Sequence, residues 1–293
     1  MPNHLVPIAF ELPHITLRGL TNNLTHKPLI VALHGWLDNA ASFIPLLTEV
    51  TDYHIIALDW AGHGLSDHRP PGTDYQQFDY IDDLHQLLTE QKWENVILMG
   101  HSMGGILSSI YAATFPEMVR AVVSIDAMGP ITTESSVAEN LRTGVLSRHQ
   151  RRAKRSIASP VPLTQLIDKR QQHTELSGEL VELLIKRATR PVIVEAGDGG
   201  TQVVWRTDSR LRNASLIRLT EQQAQELMTE LSCPMQIIIA DDGLLAKRGL
   251  WQQREQWFGS AEIVHLTGGH HLHMYNTEQI WAPIAAFLHN IST

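Results

Sequence analysis

The chain has 293 residues, 43% hydrophobic and 18% charged, with a formal net charge of −8. That is enough apolar material for one large domain with an insertion, and the acidic balance argues against the basic face a nucleic-acid binder needs. The single cysteine, Cys233, excludes an intrachain disulfide; its place before Pro234 and an apolar run points to a buried structural thiol.

Met1 to Leu20 lacks a basic segment followed by a long apolar one, so no secretory leader is expected. No apolar run approaches the roughly 20 residues that span a bilayer, and a soluble, cytoplasmic chain is the expectation. Leu29 to Leu33 reads as a buried strand ending at His34-Gly35, followed by a helix over Ala40 to Val50. His54 to Leu58 is a second strand ending at Asp59. Ile81, Leu84, Leu87 and Leu88 fall at helical spacing within Phe78 to Gln91. Val96 to Met99 is a third strand, and Gly104 to Phe115 a helix that stops before Pro116. Ala121 to Ile125 is a fourth strand, ending at Asp126.

The rhythm then changes. Residues 129–220 read as polar and helical, with few strand-like runs. Strand and helix alternation resumes at Met235 to Ile239, continues with Glu262 to Leu266, and closes with a helix over Thr277 to His289. This order predicts an α/β fold with a mostly parallel central sheet flanked by helices. The core is expected at 1–128 and 221–293, with a helical cap inserted over 129–220.

The chemistry gathers around Gly100-His101-Ser102-Met103-Gly104. This G-x-S-x-G run lies between a strand and a helix, where a sharp turn forces the serine into a strained conformation and its neighbours must lack side chains. The turn places Ser102 at a helix N-terminus, which favours negative charge. A serine hydroxyl needs a base. Among 16 histidines, His270 follows the last strand behind Gly268-Gly269 and is preferred, with His271 and His273 as alternatives. A metal site among the four histidines from His265 to His273 is the rival reading, but no acid or cysteine set with zinc-like spacing accompanies them. For the acid, Asp241 and Asp242 follow the strand at Met235, but Gly243 stands where a strand-G-x-x-D pattern would put the carboxylate. Asp126, at the strand tip beside the Ser102 loop, is preferred, and Asp242 is the alternative. The N–H groups of Met103 and Trp36 are the expected oxyanion donors, with Trp36, His101 and Trp205 as substrate-wall candidates.

With those residues in hand, the chain resembles the α/β-hydrolase superfamily, in its branch of small capped esterases. The resemblance rests on His34-Gly35-Trp36, the Asp59 to Asp67 loop and the Gly100 to Gly105 turn. Gly269 to Met274 and Trp205-Arg206-x-Asp208 resemble the serine hydrolase-like group. It covers about 29–127 and 235–289 well and the insertion loosely. Ser102 argues against the dehalogenases and epoxide hydrolases of that superfamily, which carry an aspartate at this turn. Several relatives carry the acid after the strand that follows the nucleophile helix, which supports Asp126. The resemblance implies a carboxylesterase acting on a small-molecule ester without cofactor or metal, and short-chain acyl esters are expected because no broad apolar lid suited to lipid interfaces is seen. A cofactor-free perhydrolase or a C–C bond hydrolase with the same triad is the alternative, and a non-enzymatic receptor on the same fold a third. Oligomeric state is not readable. The basic stretch Arg148 to Arg155 reads as the solvated face of an inserted helix, and Gly197-Asp198-Gly199-Gly200 as a turn rather than a phosphate loop, because no Lys-Ser/Thr follows it.

Overall fold

A computed structural model describes residues 5–153, 159–193, 201–249 and 251–291. Eleven strands are found among them: β1 (Val6–Glu11), β2 (Thr16–Thr21), β3 (Leu29–Leu33), β4 (His54–Asp59), β5 (Val96–His101), β6 (Val119–Ile125), β7 (Val161–Pro162), β8 (Thr189–Val192), β9 (Gln202–Trp205), β10 (Met235–Asp242) and β11 (Glu262–Gly269). The helices are α1 (Ile44–Glu49), α2 (Asp79–Glu90), α3 (Met103–Thr114), α4 (Val137–Ala153), α5 (Leu163–Gln171), α6 (Gly178–Ala188), α7 (Glu221–Thr229), α8 (Leu244–Arg248), α9 (Trp251–Arg254), α10 (Leu272–Tyr275) and α11 (Thr277–Asn290).

Eight strands form one sheet in the order β1-β2-β4-β3-β5-β6-β10-β11. From β4 to β11 all neighbours are parallel; β1 and β2 join as an antiparallel pair at one edge. The central strands are covered on both faces, so they are continuous apolar runs rather than alternating ones. One face packs beneath α2, α3 and α7, with Leu84, Leu107 and Met228 in its core. The other packs beneath α1 and α11, with Phe43, Leu47 and Ile284. The Cys233 thiol is part of this packing, and burial pushes it up to about 11.

The segment between β6 and β10 carries helices α4 to α6 and an antiparallel sheet of order β7-β9-β8. Its α6 is tied to the main sheet's loops in three ways. Val181, Leu184 and Ile185 pack with Ala41 and Met274. Asn39 Nδ2 donates to the Leu184 carbonyl at 2.9 Å, and Arg187 Nη2 meets the buried Asp59 carboxylate at 2.8 Å.

The basic stretch is not uniformly a solvated face. Arg148 is only 9% exposed and its Nε donates to Asp74; Lys154 and Arg155 lie outside the described residues, as does Gly197 to Gly200. No described helix is long and apolar enough to cross a membrane.

Candidate active site

The turn between β5 and α3 is built from absences of side chains. A Cβ on Gly104 would lie 1.8 Å from the Leu33 carbonyl oxygen, and one on Gly100 would lie 2.2 Å from the Gly104 carbonyl. Both positions tolerate hydrogen alone. Ser102 sits at φ 52°, ψ −115°, a strained region for a non-glycine residue that costs about 1–3 kcal/mol. Bonds on both sides of it hold that conformation: its N–H donates to the Ile125 carbonyl at 2.9 Å, and its own carbonyl accepts from Ile106 N–H at 3.0 Å.

Two other strained residues flank Ser102, namely Asp126 at φ 50° and Leu37 at φ 63°. Asp126 follows β6 directly. Its carboxylate is fully buried and accepts the Leu244 N–H at 2.9 Å and the Ala240 N–H at 3.4 Å. The remaining partner is His270, whose Nδ1–H donates to Asp126 Oδ2 at 2.5 Å. A Cβ on Gly243 would stand 2.4 Å from Asp126 Oδ1. The position that lacks an acid is thus the one whose side chain would occupy the Asp126 carboxylate's place. Asp242, the alternative, is exposed on β10 opposite Gly269.

The His270 loop is bonded to the Ser102 turn itself. His101 Nε2–H donates to the His270 carbonyl at 2.8 Å, and the two rings lie 4.6 Å apart. His101 is expected at the substrate wall; it is instead fully buried, packed on His273 behind the Ser102 and His270 loops. Burial, with three neighbouring imidazoles, holds His101 well below the ordinary histidine value. His273 is likewise fully buried and is pushed down to about 3. Both are therefore neutral packing groups.

The third loop, after β3, closes on Ser102 from the other side. A Cβ on Gly35 would lie 3.0 Å from His101 Nδ1 and 3.3 Å from Ser102 Cβ. Asp38 N–H donates to the Gly35 carbonyl at 3.1 Å, making a tight turn with Trp36 and Leu37 at its centre. The positive φ of Leu37 fits the third position of a type II turn. Met103 is the first residue of α3, so its N–H has no earlier helical carbonyl to meet. Trp36 is 52% exposed, and its indole N–H donates to the Leu211 carbonyl at 3.1 Å. Trp205 lies on β9, 41% exposed.

Sequence reading missed a charged group beside the site. His271 Nε2 lies 3.3 Å from Asp38 Oδ2 and its Nδ1 lies 3.5 Å from Glu175 Oε1. Burial works against charge here, but the two carboxylates overcome it and raise His271 to about 9. Glu175 also accepts the His271 backbone N–H at 2.5 Å, and Arg170 pairs with Asp38. No local spacing signals this group, because Arg170 and Glu175 come from the inserted segment. His271 is thus an ion-pair partner in this structure, while His270 alone of the three candidates meets the Asp126 carboxylate.

Comparison with known proteins gives a consistent result. The family described as alpha/beta hydrolase fold matches residues 28–277. A serine hydrolase-like protein of Danio rerio is 30% identical, over 94% of this chain and 86% of that protein. The crystal structure of a hypothetical protein from Pseudomonas aeruginosa PAO1 superposes with a TM-score of 0.87 at 33% identity, covering 98% of this chain and 99% of that one. A 2-(acetamidomethylene)succinate hydrolase of Mesorhizobium japonicum is 37% identical over 50% of this chain and 51% of that protein.

Proposed function

The chain belongs to the α/β-hydrolase fold family, and from that premise we propose that it is a serine hydrolase of carboxylic esters, working through Ser102, His270 and Asp126. Ser102 Oγ attacks the ester carbonyl, and His270 Nε2 takes its proton. The tetrahedral oxyanion is held by the Met103 and Trp36 N–H groups, each such donor being worth about 10²–10³ in rate. His270 returns the proton to the leaving alcohol, and an acyl-Ser102 ester remains. Water, deprotonated by His270, attacks that ester; the acid leaves and Ser102 recovers its proton. Asp126 fixes the tautomer with Nδ1–H toward itself and stabilises the imidazolium.

The observation that carries this reading is the 2.5 Å contact of His270 Nδ1 with a buried carboxylate at the tip of β6. No ordinary packing role asks for Asp126 at positive φ with a glycine cleared for it. Short-chain acyl groups are the first substrates to try, and succinyl esters belong in the same panel because of the Mesorhizobium relative's name.

Ser102→Ala should abolish hydrolysis of p-nitrophenyl esters, and a fluorophosphonate should label the parent enzyme but not the variant. Ester turnover retained by Ser102→Ala would overturn the proposal.

A further inference from the structure

A cavity of about 140 Å³ lies between the loop Gly72 to Asp74, helix α4 and the turn Ser209 to Asn213. Arg148, Arg151, Arg152 and Arg210 all line it, on a chain whose net charge is −8. Their bonds form one connected frame. Arg148 Nε donates to Asp74. Asn213 Nδ2 donates to the other Asp74 oxygen at 2.6 Å, and Arg151 Nε donates to Asn213 Oδ1 at 2.7 Å. Arg210 gives its Nη1 to the Pro70 and Thr73 carbonyls at 2.8 and 2.7 Å and is paired with Asp208. The floor loop is thereby fixed, and the two carboxylates present are used.

Positive charge remains over. Arg151 and Arg152 have no carboxylate partner among the described residues. Arg148 is nine-tenths buried, yet its Nη1 is buried with no partner. An unmet guanidinium N–H in a buried wall is costly unless an acceptor arrives. Burial and the Arg151 charge together push Arg212 below its ordinary value, as expected where cations gather without a counterion.

We propose that this cavity binds a phosphate group. The Arg210 guanidinium is fully used by Asp208 and the Arg69, Pro70 and Thr73 carbonyls and only shapes the floor. The guanidinium groups of Arg148, Arg151 and Arg152 on α4 keep donors free. Several forks at one cavity suit a tetrahedral dianion, whose oxygens accept from more than one direction; a planar carboxylate meets one fork at a time. The phosphate is either free or carried by the substrate. The second source is structurally close, because the turn walling the cavity also holds Trp36 through the Leu211 carbonyl.

The test does not depend on the esterase reading. Titration calorimetry with inorganic phosphate, at fixed ionic strength, should show saturable one-to-one binding to the parent protein. Arg151→Gln should weaken it about tenfold, and the Arg151→Gln/Arg152→Gln pair should remove it. These variants spare the buried Arg148–Asp74 contact but Arg151→Gln removes the bond to Asn213, so an unchanged urea midpoint is the check that the frame survives in them. Absence of saturable binding, or equal affinity in the double variant, would overturn the site. The source is then assigned with acyl esters whose alcohol does or does not carry a phosphate monoester. A lower KM for the phosphorylated ester, lost in the double variant, places the phosphate on the substrate. Equal KM values with binding of inorganic phosphate intact make it a free anion.

Discussion

A methyl group on Gly243 would stand 2.4 Å from Asp126 Oδ1 and 2.6 Å from its Cγ, so one carboxylate position is served by either of two places in the chain. This makes the acid testable residue by residue. Asp126→Asn should lower kcat for a p-nitrophenyl ester by about 10⁴, the loss seen when a triad acid is replaced by its amide, while Asp242→Asn, on an exposed side chain, should leave it unchanged. Gly243→Asp placed on Asp126→Gly, which vacates that space, should restore a measurable part of the rate that Asp126→Gly alone loses, because φ at Gly243 is −77° and any residue adopts it. A large fall for Asp242→Asn alone would sink the assignment. The positions of Ser102, in a strained turn, and of His270, on a loop after β11, were legible in the sequence because glycines stand around the first and before the second. Asp126 was readable only from its place at a strand tip. The inward turn of His101 was not, since a residue beside the nucleophile can face either way and the ring's partner, the His270 carbonyl, is 169 residues distant.

Among elements, the loop carrying His270 is held by groups from the inserted segment. Glu175 bonds the His271 N–H at 2.5 Å, and Gly269 leaves it room, since a Cβ there would lie 2.7 Å from its carboxyl carbon. The charge on His271 makes this attachment pH-dependent. Its folded value, about 9, lies above the ordinary 6.5 of a free imidazole. The stabilisation is therefore fully present below about pH 6.5 and is lost as pH rises through about 9, amounting to up to about 3 kcal/mol. Thermal unfolding of the parent should weaken between pH 7 and 9.5 more than that of His271→Gln, which has no proton to lose; parallel curves would refute the attachment. The parallel strands were legible as apolar runs buried on two faces. The edge pair β1 and β2 was not, because β1 exposes apolar Val6, Pro7 and Ala9 and buries only Phe10, so its sequence carries neither a two-faced apolar run nor an apolar–polar alternation. The expected helix over Ala40 to Val50 begins instead as a tighter 3-10 turn over Ala40–Phe43, with the α-helix starting beside Pro45. The small sheet β7-β9-β8 escaped reading because its strands are two to four residues long.

For the molecule as a whole, a mostly parallel sheet flanked by helices followed from alternating strand and helix, but the order of strands in it and the contacts by which the chain leaves and rejoins the sheet around residues 129–220 did not. That junction is held by one buried cation. Arg254, 5% exposed, donates to the Met128 and Pro130 carbonyls at 3.1 and 2.7 Å, where the chain departs, and to Glu221 at 2.7 Å, where it returns as α7. The Arg254 bond in turn holds the Glu221 carboxyl below its ordinary range. Arg254→Gln cannot span all three partners and leaves buried carbonyls unmet, so it should lower unfolding stability by about 2–4 kcal/mol. The expected signature is a lower urea midpoint with an unchanged slope, meaning that the same surface is exposed on unfolding. The kcat of the folded enzyme should be retained, because Arg254 touches neither Ser102 nor His270. A reduced slope would show instead that the segment between β6 and β10 detaches before the sheet unfolds. In that case Arg254 would be what joins the two parts of the molecule, and the bonds of α6 to Asn39 and Asp59 would not hold them together without it.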